Sequence, residues 1–248
     1  MAVLIHGNPM ATLVSKEFYT FRPRYRALVR HNLRRYARSA KCMVYSEYVR
    51  RGLIEYGFDG PVAVVHPCVD PIFAPTSDRQ ALRNRLGLPP DRTIVLSVAS
   101  AERRKNLEIL PEVMDRLSSD YLLVRVGPPV RGALALPVQT DRELADLYAA
   151  SDLLLFPTLE EGFGLPILEA FASGLPVVAS DIPVVEEVSA AASLRTDPRD
   201  AVSLAAACRT VRDDPAPWVA RGFERVREFT LERFTVRLRG FYSTLPAS

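Results

Sequence analysis

The feature that most constrains the fold is an alternation of short, continuous apolar runs with amphipathic helical stretches. "TIVLSVAS", "YLLVRVG", "DLLLFP" and "PVVAS" read as strands, and "ALALPV" and a stretch near "ASLRT" as shorter ones. Several of these runs are apolar throughout, without a two-residue alternation, so both faces of their sheet must be covered. Helical patterns stand between them, at Leu107–Leu117, Arg142–Ala150 and Pro166–Ala172. Strand–helix alternation of this kind builds a parallel α/β sheet with crossover helices. A shorter series opens the chain: "MAVLI" as strand, an Arg-rich helix, "KCMVYS" as strand, Glu47–Tyr56 as helix and "PVAVVHP" as strand.

Between the two series lies "CVDPIFAPTSD", proline-rich and weakly periodic, which reads as a linker. The tail is helical throughout, with breaks at "DDPAP" and near "FTLE". The expected organisation is a lobe over residues 1–68, a doubly wound Rossmann-like domain over 69–228, and a C-terminal helix over 229–248 returning to the first lobe. No repeat of fixed period and no low-complexity tract interrupts this plan. The first strand of neither series is followed by G-x-G-x-x-G, which argues against a dinucleotide oxidoreductase.

Charge is unevenly placed. Residues 1–60 carry 11 Lys/Arg against 4 Asp/Glu, an excess of 7 within a net +3, so the remainder sums to −4. Most of the excess lies in Arg22–Ala40, where Leu28, Leu33 and Tyr36 share a helical face and Arg26, Arg30, Arg34, Arg35 and Arg38 decorate the others. Such a helix is either a solvated outer face or a surface for anionic lipid or a phosphorylated acceptor. Nucleic acid is not an expected partner, because no recognition motif accompanies the basic segment and the rest of the chain is acidic. Cys42, Cys68 and Cys208 are widely spaced and form no metal-ligand pattern, and they read as reduced thiols. No apolar run approaches the roughly 20 residues that span a bilayer, and "MAVLIHGNPM" has no secretion-signal character. The expected location is the cytoplasm, peripheral at the inner face of the membrane if the basic helix engages lipid.

The chemistry concentrates in "EEGFGLPILEAFASGLPVVASD", Glu160 to Asp181. "SDLLLFP" is a buried strand, so "TLEEGFG" is the loop at its C-terminal end, where open parallel sheets bind ligands. Gly162 and Gly164 let the backbone approach a ligand, Pro166 suits a helix start, and the N–H groups near Leu165 face anionic or hydroxyl-rich groups. Glu161 precedes this helix and Glu169 lies one turn into it, eight positions on. Carboxylates accept hydrogen bonds from the vicinal hydroxyls of a sugar or ribose. For Glu169 the helix dipole alone is also a sufficient reason. At the end of "TIVLSVAS", "AERRKN" sets Arg103, Arg104 and Lys105 ahead of another helix, an arrangement suited to phosphate and equally to solvent.

"SVASAERRKNLEIL", "LYAASDLLLFPTLEEGFGLPILEAFASGLPVVASDIPVVEEV" and "VVHPCVDPIFAP" together resemble the retaining nucleotide-sugar glycosyltransferases of family four, which have the GT-B fold. The E-x7-E pattern in "EGFGLPILE" is the most specific element of the resemblance. It implies that Glu161 bonds hydroxyls of the donor sugar, that Gly162, Phe163, Gly164 and Leu165 meet sugar and diphosphate, and that Glu169 binds the ribose. Lys105, helped by Arg104, would neutralise the departing diphosphate, and His6 in "LIHGNPM" would stand near the reacting centre. Ser100 stands where the family often has an arginine, and is expected in the donor site without the diphosphate bond that an arginine would make. The base would lie around Pro137 and Val138. No metal and no cofactor beyond the donor is expected.

The resemblance therefore implies a hexosyltransferase, a mannosyltransferase among the options, acting on a lipid-linked, polysaccharide or small-molecule acceptor. Residues 1–68 match only the last part of the family's N-terminal lobe. The expected fold is thus α/β and GT-B-like, with one complete Rossmann-like C-terminal domain and a partial N-terminal Rossmann-like lobe. The expectation for that partial lobe is a preceding segment or a partner chain covering its sheet. Alternatives are a non-catalytic or partner-dependent nucleotide-sugar-binding subunit and a GT-B-fold nucleotide-sugar epimerase.

Overall fold

The computed structural model describes residues 2–4, 31, 34, 41–55, 58–137 and 140–244. The chain divides into two units: Met1–Cys68 with Glu160–Phe163 and Phe229–Ser248, and Val69–Leu159 with Gly164–Glu228. The first begins with β1 (Ala2–Leu4), β2 (Lys41–Val44), α1 (Glu47–Glu55) and β3 (Val62–Val64). The second follows with α2 (Arg79–Arg85), β4 (Thr93–Val98), α3 (Ile109–Met114), β5 (Tyr121–Val126), β6 (Leu134–Ala135), α4 (Asp141–Ala150) and β7 (Leu153–Phe156). It continues through α5 (Leu165–Ala172), β8 (Val177–Ser180), α6 (Pro183–Ser189), β9 (Ser193–Thr196), α7 (Ala201–Asp213) and α8 (Ala216–Val226). The chain then returns to the first unit as α9 (Leu231–Ser243).

In the first unit the strands pair in parallel in the order β1-β2-β3. Successive side chains of β2 point to opposite faces. Cys42 and Val44 pack with Val49 and Leu53 of α1 and with Phe58, while Met43 meets Val65 and Phe241, flanked by Phe234 and Leu238 of α9. Of the basic Arg22–Ala40 segment only His31 and Arg34 are described, both helical and exposed, and the rest lies outside the described residues.

The second unit holds a six-stranded, wholly parallel sheet in the order β6-β5-β4-β7-β8-β9. Every residue of β7 and β8 is buried, which is why both runs, Ser180 apart, are apolar without alternation. One core gathers Val95, Leu123 and Leu155 with Val113 of α3 and Leu204, Cys208 and Val211 of α7. Numbered from β4, the order is 3-2-1-4-5-6, the doubly wound arrangement, with its reversal between β4 and β7. In sheets of this order ligands bind outside the carboxyl ends of the two strands at the reversal.

Some elements differ from the pattern expected of the sequence. The helix expected at Leu107–Leu117 is confined to Ile109–Met114, because the Leu110 N–H bonds to the Leu107 carbonyl and the Leu117 N–H to the Met114 carbonyl, tighter i→i+3 turns at both ends. "ALALPV" supplies only two strand residues, opposite Val124 and Arg125. The helices α2 and α6 were not foreseen. In α2 the Asp78 carboxylate caps the Ala81 N–H, and Arg83 is buried against Asp152 at 2.5 Å and the Ala150 carbonyl at 2.9 Å. The linker is not a free tether either, for Phe73 is buried edge-on against Tyr148 of α4. Cys42 and Cys208 are buried free thiols, pushed by burial to about 11 and about 12. Among the described residues no helix is long and apolar enough to cross a membrane.

Candidate functional site

Two loops leave the sheet at its reversal, one after β4 and one after β7. The first runs from Ala99 into a 3-10 turn, Arg103–Lys105. Asn106 closes that turn at φ 56°, ψ 41°, a left-handed conformation that asparagine tolerates better than most residues. Its side-chain amide donates to the carbonyls of Pro157 at 2.9 Å and Pro198 at 2.8 Å. The Arg104 carbonyl accepts from the Leu159 N–H at 2.7 Å and the Thr158 hydroxyl at 2.9 Å. The basic turn is thereby bolted to the chain leaving β7. Lys105 is half-buried, its Nζ 5.8 Å from the centroid of the Phe156 ring.

Around it, Ser100 is exposed and donates to Glu102 at 2.9 Å. Arg104 grips the same carboxylate at 2.8 and 3.0 Å, and this guanidinium, first among the causes, holds Glu102 below the usual carboxylate range. Arg104 therefore carries a partner of its own, whereas Arg103 is exposed. On the neighbouring strand Gly127 has φ 114°, and a Cβ there would lie 2.2 Å from the Ala99 carbonyl oxygen, so only glycine lets β5 end this close to the loop.

The second loop ends at Gly164, with φ 107° and ψ 52°, which precedes α5. Pro166 has no N–H, and the Ile167 N–H is bonded to the Gly164 carbonyl at 3.0 Å, so Leu165 supplies the first donor that α5 presents. The set of helix N–H groups is narrower than the sequence suggested. Glu169, one turn further, is half-buried and accepts the Tyr148 hydroxyl at 2.7 Å on Oε2. Burial raises its carboxyl above the ordinary value, against the lowering effect of Tyr148 and with a further rise from Asp141. Tyr148 is itself fully buried, and burial raises its hydroxyl well above the usual value.

The tetrapeptide Glu160–Phe163 groups with the first unit. Both glutamates are buried. There the Ser46 hydroxyl donates to the Gly162 carbonyl at 2.8 Å while accepting the Val49 N–H at the start of α1. Phe163 stacks on His66 at 5.8 Å and meets Phe229 edge-on at 5.8 Å.

Of the residues singled out by sequence, Ser100, Arg104 and Lys105 lie in the loop after β4, and Gly164, Leu165 and Glu169 at the start of α5, all in the second unit. Glu161, Gly162 and Phe163 belong to the first unit, and His6 and Val138 lie outside the described residues. Sequence reasoning missed Asn106, Tyr148 and Ser46. Asn106 stood in view beside Lys105, as a residue type suited to a left-handed turn; Tyr148 and Ser46 gave no local signal, since their partners are 21 and 116 positions away.

A wholly parallel, doubly wound sheet of order 3-2-1-4-5-6, with loops and a helix start at its reversal, defines a Rossmann-like α/β domain. Residues 78–222, more than half of the chain, match the family described as glycosyl transferases group 1, and the chain belongs to that family. It is similar to the D-inositol 3-phosphate glycosyltransferase of Streptomyces bingchenggensis, 36% identical over 156 residues, covering 51% of this chain and 34% of that protein. It is also similar to the O-antigen chain mannosyltransferase B of Escherichia coli, 37% identical over 110 residues, covering 42% of this chain and 28% of that protein. The alignments thus span about a third of those relatives' length. The fold is that of GT-B glycosyltransferases: the sucrose-phosphate synthase of Thermosynechococcus elongatus superposes with a TM-score of 0.82 at 25% identity, covering 98% of this chain and 67% of that one.

Proposed function

We propose that this chain binds a nucleotide-diphosphate sugar and acts in its use as a retaining hexosyltransferase, with a lipid-linked, polysaccharide or small-molecule acceptor. The observation that carries this reading is the edge of the second sheet, where the Lys105 turn is bolted to the chain leaving β7 and α5 starts at Gly164 with Glu169 one turn in. Tyr148 holds Oε2 of Glu169, and in this reading the carboxylate so fixed accepts the ribose hydroxyls on its other oxygen. Lys105 and the Leu165 N–H take the diphosphate, with Ser100 beside them and Arg104 tempered by Glu102. Glu161 and the backbone of Gly162 and Phe163 take the donor sugar. Val138 borders the base, and His6 serves near the reacting carbon.

In transfer, the bond from the anomeric carbon to the β-phosphate oxygen breaks as the acceptor oxygen approaches on the same face. The departing phosphate receives the acceptor's proton. Lys105 stabilises the charge that grows on that phosphate, and the fixed carboxylates hold donor and sugar in register. No metal has a role in this scheme, and transfer is expected to persist in EDTA.

Calorimetry with UDP- and GDP-sugars, paired with turnover assays on the same preparation, tests the reading. Binding with transfer supports it. Binding without transfer indicates a donor-binding subunit, a changed donor sugar without transfer indicates an epimerase, and absence of binding overturns it. The Arg22–Ala40 segment is proposed to hold the chain at an anionic inner membrane face. Vesicles containing anionic lipid should retain the protein at low salt and release it at high salt.

A further inference from the structure

Arg125 lies inside the sheet of the second unit, on β5, and is fully buried. Its guanidinium donates to the Ser97 carbonyl at 2.9 Å and to the carbonyls of Val126 and Ala99, and its Nε has no acceptor among the described residues. No carboxylate among the described residues pairs with it, and burial alone lowers its ionisation to about 10, so it stays charged at neutral pH. Moving a cation out of water without a counter-ion is costly, and carbonyl dipoles compensate only in part. Its neighbours along that face of β5, Leu123 and Tyr121, are buried in an apolar core that an aliphatic residue at 125 would have continued.

The place of the charge suggests its use. Ala99, whose carbonyl it holds, opens the loop that leads through Ser100 to Lys105. Gly127, two residues on, is shaped around the same carbonyl. Carbonyls at the carboxyl ends of parallel strands present negative partial charge to an incoming phosphate, and a guanidinium bound to them reverses that sign. We infer that Arg125 is a positioning residue for the donor diphosphate: it fixes the start of the Ala99–Glu102 loop by the Ala99 carbonyl and sets a buried positive charge behind it. This rests on the donor reading above.

The test compares wild type, Arg125→Gln and Arg125→Lys as full chains, with UDP and GDP set against uridine and guanosine in calorimetry at low salt. Glutamine keeps two donors without the charge, whereas lysine keeps the charge. The ratio of diphosphate to nucleoside affinity should fall about tenfold in Arg125→Gln and stay within about twofold in Arg125→Lys, the size expected of one unit charge acting over several ångströms of protein. A purely structural role would lower the thermal midpoint and leave that ratio alone, so an unchanged ratio in folded Arg125→Gln overturns the inference. Should Arg125→Gln fail to fold, Arg125→Met, which continues the apolar face of β5, takes its place with the same two outcomes, and loss of the ratio in Arg125→Lys would sink the role of charge. Wild-type protein that binds no diphosphate overturns the donor reading and this inference with it.

Discussion

The loop after β4 and the loop after β7 start side by side on one sheet but are secured by different means. Ala99–Asn106 is held inside the second unit: Asn106 clamps Pro157 and Pro198, the Arg104 carbonyl takes Leu159 and Thr158, and Arg125 holds Ala99. Pro157–Gly164 is divided, for Glu160–Phe163 groups with the first unit, where Ser46, His66 and Phe229 secure it. The difference teaches that Lys105 can be placed by one domain alone, whereas the segment that holds Glu161 depends on Ser46, 116 positions from Gly162.

If the first loop carries the leaving-group charge, Lys105→Ala should cost the most, about 10²–10³-fold in kcat, with thermal stability preserved. Glu161→Ala should match it in turnover assays. Wild-type turnover by purified Lys105→Ala would break the comparison at its first term.

Asn106→Ala comes next. It removes two hydrogen bonds and places alanine in a left-handed conformation, for about 2–4 kcal/mol of unfolding free energy in urea titrations. A loss below about 1 kcal/mol would mean that the turn is secured by something other than this clamp.

Glu169→Gln should weaken nucleoside diphosphate binding about tenfold with little change in nucleotide-saturated kcat. Its raised carboxyl fixes two signs. Wild-type nucleotide affinity should begin to fall on acidification above the ordinary glutamate range, and Glu169→Gln should flatten that limb. For stability, a carboxyl raised in the folded state favours folding below its unfolded value and loses that contribution as pH rises through the folded one. Glu169→Gln should therefore raise the thermal midpoint at neutral pH and not at pH 4, and a midpoint shifted equally at both would remove burial as the cause.

The smallest effect is expected from Ser46→Ala, which takes the donor from the Gly162 carbonyl and the acceptor from the Val49 N–H. About 1–2 kcal/mol of stability and a few-fold loss of turnover should follow. Turnover unchanged to within error would show that the Glu160–Phe163 segment keeps its place without Ser46.

Much of the second sheet could be read in advance, because β7 and β8 are buried on both faces and the chain writes them, Ser180 apart, as apolar runs. The start of α5 was legible for a similar local reason: Gly164 needs a positive φ and Pro166 a position without an N–H partner. Helix α2 was harder, since its strongest attachment, Arg83 to Asp152, joins residues 69 positions apart. In the site, Glu161, Glu169 and Lys105 stood out by type and spacing. Their supports, Tyr148 behind Glu169, Asn106 beside Lys105 and Ser46 on Gly162, did not.

By itself, then, the sequence determined which segments become strands and where the loop after β7 turns into a helix, because burial and backbone conformation act on each residue locally. The tertiary structure alone decided that β4 and β7 are neighbours at the reversal of the sheet, that Glu160–Phe163 groups with the first unit, and that Arg125 spends its hydrogen bonds on carbonyls. Those are pairings between distant positions, and nothing in the local pattern of a chain records which distant group will satisfy a buried donor or charge.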